Sequence, residues 1–383
     1  MALFFSWTAG SAGTNRYAHH YEANGEQYAE FMLPSAGRIS NLFVNCSAAI
    51  TSGTHTITLR KDGKNTTVTC ALGNGSSTCA DTVHTVDFAA GSLLSVKIAN
   101  AGSTQQPHCR AMATLTASGG TALHDSVVSV QTASETPLDG QYCGMNIDVG
   151  STATCASNDP DDVAIVMPAP GTLTGLAAKL NSGPGSGRSE TFTVENLTTG
   201  IATGLAVTIT SGNQGASTTT CAGVCTFEAG DRLAIRFDRT GTPVERTRSL
   251  TLTYADVGTV LASRRVQFAT GTFYGGYHLG IATPTAGGAA VRMERSAQLE
   301  NLYVQTTSPA TTAFSVTVCS GATSPPSCTG IRPSCTVAVG ATECSDVASV
   351  ASVAQGDFVE VQVQAPGNTT GTVGFSVELL DQP

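Results

Sequence analysis

Phe88-Ala89-Ala90-Gly91-Ser92-Leu93-Leu94-Ser95-Val96 is an apolar step, a glycine turn and a strand of alternating apolar residues. The same phrase recurs as Phe227-Glu228-Ala229-Gly230-Asp231-Arg232-Leu233-Ala234-Ile235 and as Val353-Ala354-Gln355-Gly356-Asp357-Phe358-Val359-Glu360-Val361. Upstream of each lies a second shared strand: Gly37 to Val44, Gly171 to Ala177 and Ala297 to Val304. The spacings from that strand to the glycine turn are 91−37 = 54, 230−171 = 59 and 356−297 = 59. A methionine precedes each copy, at Met32, Met167 and Met293. Each copy opens on a similar strand, at Phe5-Ser6-Trp7, Val130-Gln131-Thr132 and Val266-Gln267-Phe268. Each closes on an alternating strand, at Met112 to Thr116, Leu250 to Tyr254 and Phe375 to Leu379. Elements matched in the same order at similar spacing define a three-fold internal repeat.

Period-two alternation, many Thr and Val residues and 41 glycines read as strands joined by turns. No helix beyond two turns is expected; the best helical fragment, near Val347 to Ala354, reads equally as loop or strand. In the first repeat the predicted strands are Leu3–Thr8, Tyr28–Leu33, Arg38–Cys46, His55–Lys61, Thr66–Ala71, Thr82–Phe88, Leu93–Ala99 and Cys109–Thr116, with an Asp62-Gly63 hairpin turn. Eight short strands with turns every eight to twelve residues predict a β-sandwich of the jelly-roll type. The expected fold is therefore all-β, with three tandem jelly-roll domains at 1–118, 119–257 and 258–383.

Charge narrows the function. Lys and Arg number 19 against 28 Asp and Glu, a formal charge of −9, and only 12% of residues are charged. Nucleic-acid binding needs clustered cations to replace counterions, so it is not expected. No stretch of about 18 uninterrupted apolar residues predicts a membrane span. Met1 to Trp7 is apolar but lacks a basic segment, and no secretion signal is expected there. Phe5 and Trp7 are expected in a core.

The twelve cysteines fall four to each repeat. Three pairs share one spacing: 79−70, 328−319 and 344−335 all equal 9. Zinc sites need short CxxC knuckles, and none is present, the nearest being Cys221 and Cys225; free buried thiols are the other alternative. The spacing predicts disulfides Cys70–Cys79, Cys319–Cys328 and Cys335–Cys344, and elimination leaves Cys46–Cys109, Cys143–Cys155 and Cys221–Cys225. Disulfides without a secretion signal suggest a particle assembled in a cell and oxidised after release, as a virion is.

No catalytic motif appears: neither H-E-x-x-H, G-x-S-x-G nor a phosphate-binding loop with its helix. Asn158-Asp159-Pro160-Asp161-Asp162 reads as a solvated acidic turn in place of a Ca²⁺ loop, and His19-His20-Tyr21-Glu22 as an exposed loop. Catalytic residues, a metal and a cofactor are all expected to be absent. The glycine-rich run from Gly271 to Leu279 carries Phe273, Tyr274, Tyr277 and His278, candidates for stacking on a sugar or for contact with a partner.

Leu59-Arg60-Lys61-Asp62-Gly63, followed by Val68-Thr69-Cys70, the Ala90-Gly91 turn and Leu94-Ser95-Val96, resembles tail-fibre, head-fibre and decoration modules of tailed bacteriophages. Those modules are jelly rolls similar to the complement C1q/tumour-necrosis-factor head and often trimeric. The resemblance implies a non-enzymatic protein on the virion surface, a capsid decoration protein or a head or tail fibre, extracellular after host lysis. Its partners would be major capsid or tail proteins. A glycan-binding adhesin or receptor-binding module is the alternative, with a host-surface glycan as ligand. The resemblance and the low charge together lead to the expectation of a homotrimer, its domains stacked along the length; a monomer docked singly on a capsid lattice is the other possibility.

Overall fold

In the computed structural model the described residues are 2–8, 15–18, 22–23, 25–102, 107–117, 126–131, 137–143, 155, 157–160, 163–242, 246–255, 259–265, 270–276, 279–283, 290–367 and 373–381. Apart from one turn of 3-10 helix at Glu26–Tyr28, the regular structure among them is strand.

The first repeat supplies β1 (Ala2–Thr8), β2 (Asn15–Ala18), β3 (Gly37–Cys46), β4 (Thr54–Lys61), β5 (Lys64–Leu72), β6 (Thr78–Asp81), β7 (Leu93–Ala101) and β8 (His108–Ala117). The second supplies β9 (Ser126–Gln131), β10 (Gln141–Cys143), β11 (Gly171–Leu180), β12 (Ser189–Asn196), β13 (Ile201–Thr210), β14 (Gly215–Thr218), β15 (Arg232–Thr240) and β16 (Arg248–Ala255). The third supplies β17 (Thr259–Arg265), β18 (Gly271–Gly276), β19 (Ala297–Thr306), β20 (Phe314–Gly321), β21 (Ser334–Val337), β22 (Glu343–Asp346), β23 (Phe358–Ala365) and β24 (Val373–Asp381).

The sheet orders repeat. The first repeat pairs β1-β8-β3-β6 in one sheet and β2-β7-β4-β5 in the other. The second pairs β9-β16-β11-β14 and β10-β15-β12-β13, and the third β17-β24-β19-β22 and β18-β23-β20-β21. This is the jelly-roll order, two Greek keys folded into a sandwich, and the protein is an all-β chain of jelly rolls. Alternation drives it: in β4 every second residue, His55, Ile57 and Leu59, is buried. The Asp62-Gly63 turn closes β4 on β5 with both residues at positive φ, 49° and 75°, the type I′ geometry whose twist matches a hairpin.

Each sandwich encloses its own core. Phe5, Phe31, Ile39, Leu59, Val96 and Leu115 belong to the first. Met167, Phe192, Phe227, Phe237 and Tyr254 belong to the second, which also takes in Val260. Met293, Phe314, Val361 and Phe375 belong to the third.

Several expectations are corrected. The stretch Thr82–Phe88 is not one strand; β6 ends at Asp81 and a separate short strand, Val86–Phe88, follows. Asp81 accepts hydrogen bonds from the N–H groups of Val83 and His84, which turns the chain there. Of Val347 to Ala354, only Ala351–Val353 is regular, and it is a strand. The residue equivalent to Met167 and Met293 is Leu33, not Met32, because these three exchange backbone hydrogen bonds with the glycine turns at Gly91, Gly230 and Gly356. The third repeat opens three residues earlier than the sequence match placed it: Arg264 occupies the position of Ser6 and Gln131. Residues 266–269 lie outside the described residues, as does the side chain of Trp7, whereas Phe5 is buried.

Candidate functional site

All six cysteine pairs of the sequence reading are bonded in the structure. Cys46–Cys109 ties the neighbouring strands β3 and β8. Cys70–Cys79 and Cys335–Cys344 stand at equivalent places and tie one sheet of a sandwich to the other, β5 to β6 and β21 to β22. In the second sandwich Val207 and Ala216 occupy those positions. Closing a loop of about ten residues restricts the unfolded chain by about 2.7 kcal/mol in the chain-entropy account.

The aromatic run is not a free glycine-rich loop. Gly271–Gly276 is β18, paired with β23, so strand alternation separates its two described rings. Phe273 packs against the third core, while the Tyr274 hydroxyl accepts a hydrogen bond from Gln362 at 3.2 Å. Tyr277 and His278 lie outside the described residues. Beside this strand runs an open groove of about 560 Å³ with Thr272, Ser315, Thr336 and Gln364 in its lining. Its polar groups are hydroxyls and one amide; its aromatic, Phe314, is buried in the core beneath.

In the acidic turn, Asn158 accepts from Gln141 and the Asp159 carbonyl accepts from Ser157. Residues 161–162 and 19–21 lie outside the described residues. Among the described residues no group of three or more His, Cys, Asp or Glu side chains is placed to hold a metal ion. No helix among them is long and apolar enough to cross a membrane.

The chemistry concentrates instead at the seams between sandwiches. A sheet with one solvated face alternates buried and exposed residues. β16 does not: every residue from Arg248 to Tyr254 is buried. The outer face of its sheet is covered by the first repeat, whose two-residue strand Phe31–Met32 lies against β11 and β16. The Met32 methyl reaches Gly215, where a Cβ would collide with it. Pro34 sits 3.1 Å from where a Cβ on Gly175 would stand. The first and third repeats carry Asn41 and Asn301 at that position, both at positive φ beside a bulge. At Gly175 the space for a Cβ is taken by the Thr253 hydroxyl of the same sandwich, 2.7 Å away, and by the neighbour's proline. Glu30 meets Lys179 at 3.7 Å. Burial raises the Glu30 carboxyl above its ordinary range against the attraction of Lys179, and burial lowers the Lys179 amine against that of Glu30.

The second repeat covers the third in the same way. Ile165–Val166, equivalent to Phe31–Met32, lies against β19 and β24. The Tyr303 ring approaches within 3.8 Å of where a Cβ on the turn glycine Gly230 would stand.

The third repeat covers the first. Val291–Arg292 lies against β3 and β8. The Arg292 guanidinium stands over the Phe43 ring at 5.3 Å. Asn45 donates to the Ala290 carbonyl at 3.1 Å. Met112, on β8, belongs to the core cluster of the third sandwich. Beside them Arg110 is buried; desolvation lowers its pKa to about 10, opposed by the charge of Glu360 on β23. Phe43, Ala177 and Tyr303 share one position, as do Asn45, Lys179 and Gln305. Alternation marks these residues as outward-facing. Which of them are covered depends on neighbours that no local pattern encodes.

No protein-family profile matches the chain, and no curated protein matches it in sequence. Solved structures are similar at a coarse level. Broad bean stain virus matches at 10% identity and a TM-score of 0.21, over 69% of this chain and 91% of that one. Sulfolobus turreted icosahedral virus matches at 9% identity and a TM-score of 0.19, over 91% of this chain and 81% of that one. PNGF-II matches at 9% identity and a TM-score of 0.21, over 86% of this chain and 98% of that one. Likenesses of this size carry no functional argument.

Proposed function

We propose that the chain is a non-enzymatic structural protein of a virion surface, a capsid decoration protein or a head or tail fibre, built of three domains at 1–118, 119–257 and 258–383. The observation that supports this reading is the seam architecture. Three jelly rolls, each internally cross-linked, bury polar side chains against one another in one body. Such a body suits a structural role on a surface, in which the working parts are outer faces. Its partners are the major capsid or tail proteins. Co-sedimentation of the purified protein with bare capsids or tails tests the proposal. Saturable binding to particles is expected; binding to host cells alone would overturn it.

A second reading, a glycan-binding module, is favoured by the groove beside β18, because Thr272, Ser315, Thr336 and Gln364 present hydrogen-bonding groups along it. A glycan array with wild type and Gln364→Ala separates the two: binding lost in the variant supports the adhesin.

A further inference from the structure

The covers run in a circle. The first repeat lies on the sheet of the second, the second on the sheet of the third, and the third on the sheet of the first. Chain connectivity favours the first two seams, since adjacent repeats are tethered. The seam between the third and first repeats joins residues 245 positions apart, Asn45 and Ala290, and no tether enforces it. We propose that this chain closes a pseudo-three-fold ring upon itself, so that the surface between its first and third repeats takes this chain's own third repeat as partner.

Three features carry the inference. The same element does the covering each time: Phe31–Met32, Ile165–Val166 and Val291–Arg292 all pair with the seventh strand of their own sandwich. The same surface is covered each time, the outer face of the third and eighth strands. The opening strands converge as well, with β1 beside β9 and β9 beside β17. The chemistry of the seams nevertheless differs: an arginine over an aromatic ring, a Glu–Lys pair, a tyrosine on a glycine turn. Repeats that meet through unlike contacts select their own neighbours, and the ring closes in one order. The covered faces of the third and eighth strands are not free to meet a second copy.

Light scattering and small-angle X-ray scattering on the full chain test this. The expected result is a mass of 39.0 kDa at micromolar concentration. The expected radius of gyration is about 21 Å, that of one compact body of this length, against about 28 Å for three domains in a row. Hydrogen exchange on the double variant Asn45→Ala with Arg292→Ala localises the effect. Exchange in β3 and β8 is expected to rise at least tenfold while β11 and β16 hold. A stable 117 kDa species (three times 39.0) or a radius near that of the row would overturn the ring. So would unchanged exchange in the folded variant. If the variant fails to fold, the wild-type scattering decides.

Discussion

Replacing Glu190 by Gln removes one charge and leaves two others buried. In the second sandwich Glu190 Oε1 accepts from Arg246 Nη1 at 2.8 Å and from Arg248 Nη2 at 3.0 Å, and its Oε2 accepts from Arg248 Nε at 3.0 Å. All three residues are buried, and Arg248 stands over the Phe237 ring at 5.1 Å. Charge-assisted hydrogen bonds of this kind contribute roughly 1.5–3 kcal/mol each, but desolvation of the ions offsets most of that gain. Breaking the triad is a different matter, because the uncompensated guanidiniums stay behind; that costs about 3–5 kcal/mol. For a domain of this size the melting temperature should fall by roughly 10 °C. The equivalent position shows the alternative. His55, Glu190 and Phe314 share one register position, opposite Asn100, Arg239 and, one step beyond the Ser315–Gln364 pair, Ala365. An apolar side chain therefore fits that site in the third sandwich. Replacing the whole triad by apolar residues should cost far less than Glu190→Gln alone. Differential scanning calorimetry with urea titration on both variants provides the measurement. A Glu190→Gln protein that melts within 1 °C of wild type, on the order of 0.3 kcal/mol, would refute the reasoning.

His55 is buried, and among the described residues neither ring nitrogen has a hydrogen-bond partner. Burial lowers its pKa, so the folded state binds fewer protons than the unfolded one; the stability it contributes is complete above the ordinary imidazole value of 6.5 and is lost as pH falls through the folded value. Urea midpoints of the first domain should drop on acidification from that point, and His55→Leu should flatten the dependence; an identical slope in the variant would count against it. Gly175→Asn installs the residue found at the equivalent positions, yet the Thr253 hydroxyl and Pro34 both crowd it, and the variant should lose about 1–3 kcal/mol, recovered in part by Pro34→Gly. A wild-type melting curve for Gly175→Asn would show that the seam gives way freely. Phe5 is buried against Phe31 with ring centroids 5.9 Å apart, and Phe5→Ala should cost the first domain about 3–5 kcal/mol by thermal denaturation; no loss of stability would remove it from the core.

The repeat, the jelly-roll class and most strand positions were legible in the chain because they depend on near neighbours. Alternation at period two places a residue inside or outside its own sandwich, and a glycine at positive φ marks each turn ahead of the seventh strand. The cysteine spacing was legible for the same reason, since a nine-residue separation bridges β5 to β6, β21 to β22, and β20 to the loop that follows it. Where repeats differ at one position, local pattern is silent. Nothing near Gly175 announces the proline that crowds it from another repeat, and nothing near Arg110 announces that it is buried beside Glu360, 250 residues away (360−110). The aromatic run at 271–276 looked like a loop because its glycines outweigh its alternation, and only pairing with β23 holds it extended. The sequence by itself determined three jelly rolls and their internal bridges. Tertiary structure decided which outer faces are covered and in what order. Burial of an outward-facing residue is a property of the surface that meets it, and that surface belongs to another repeat of the chain.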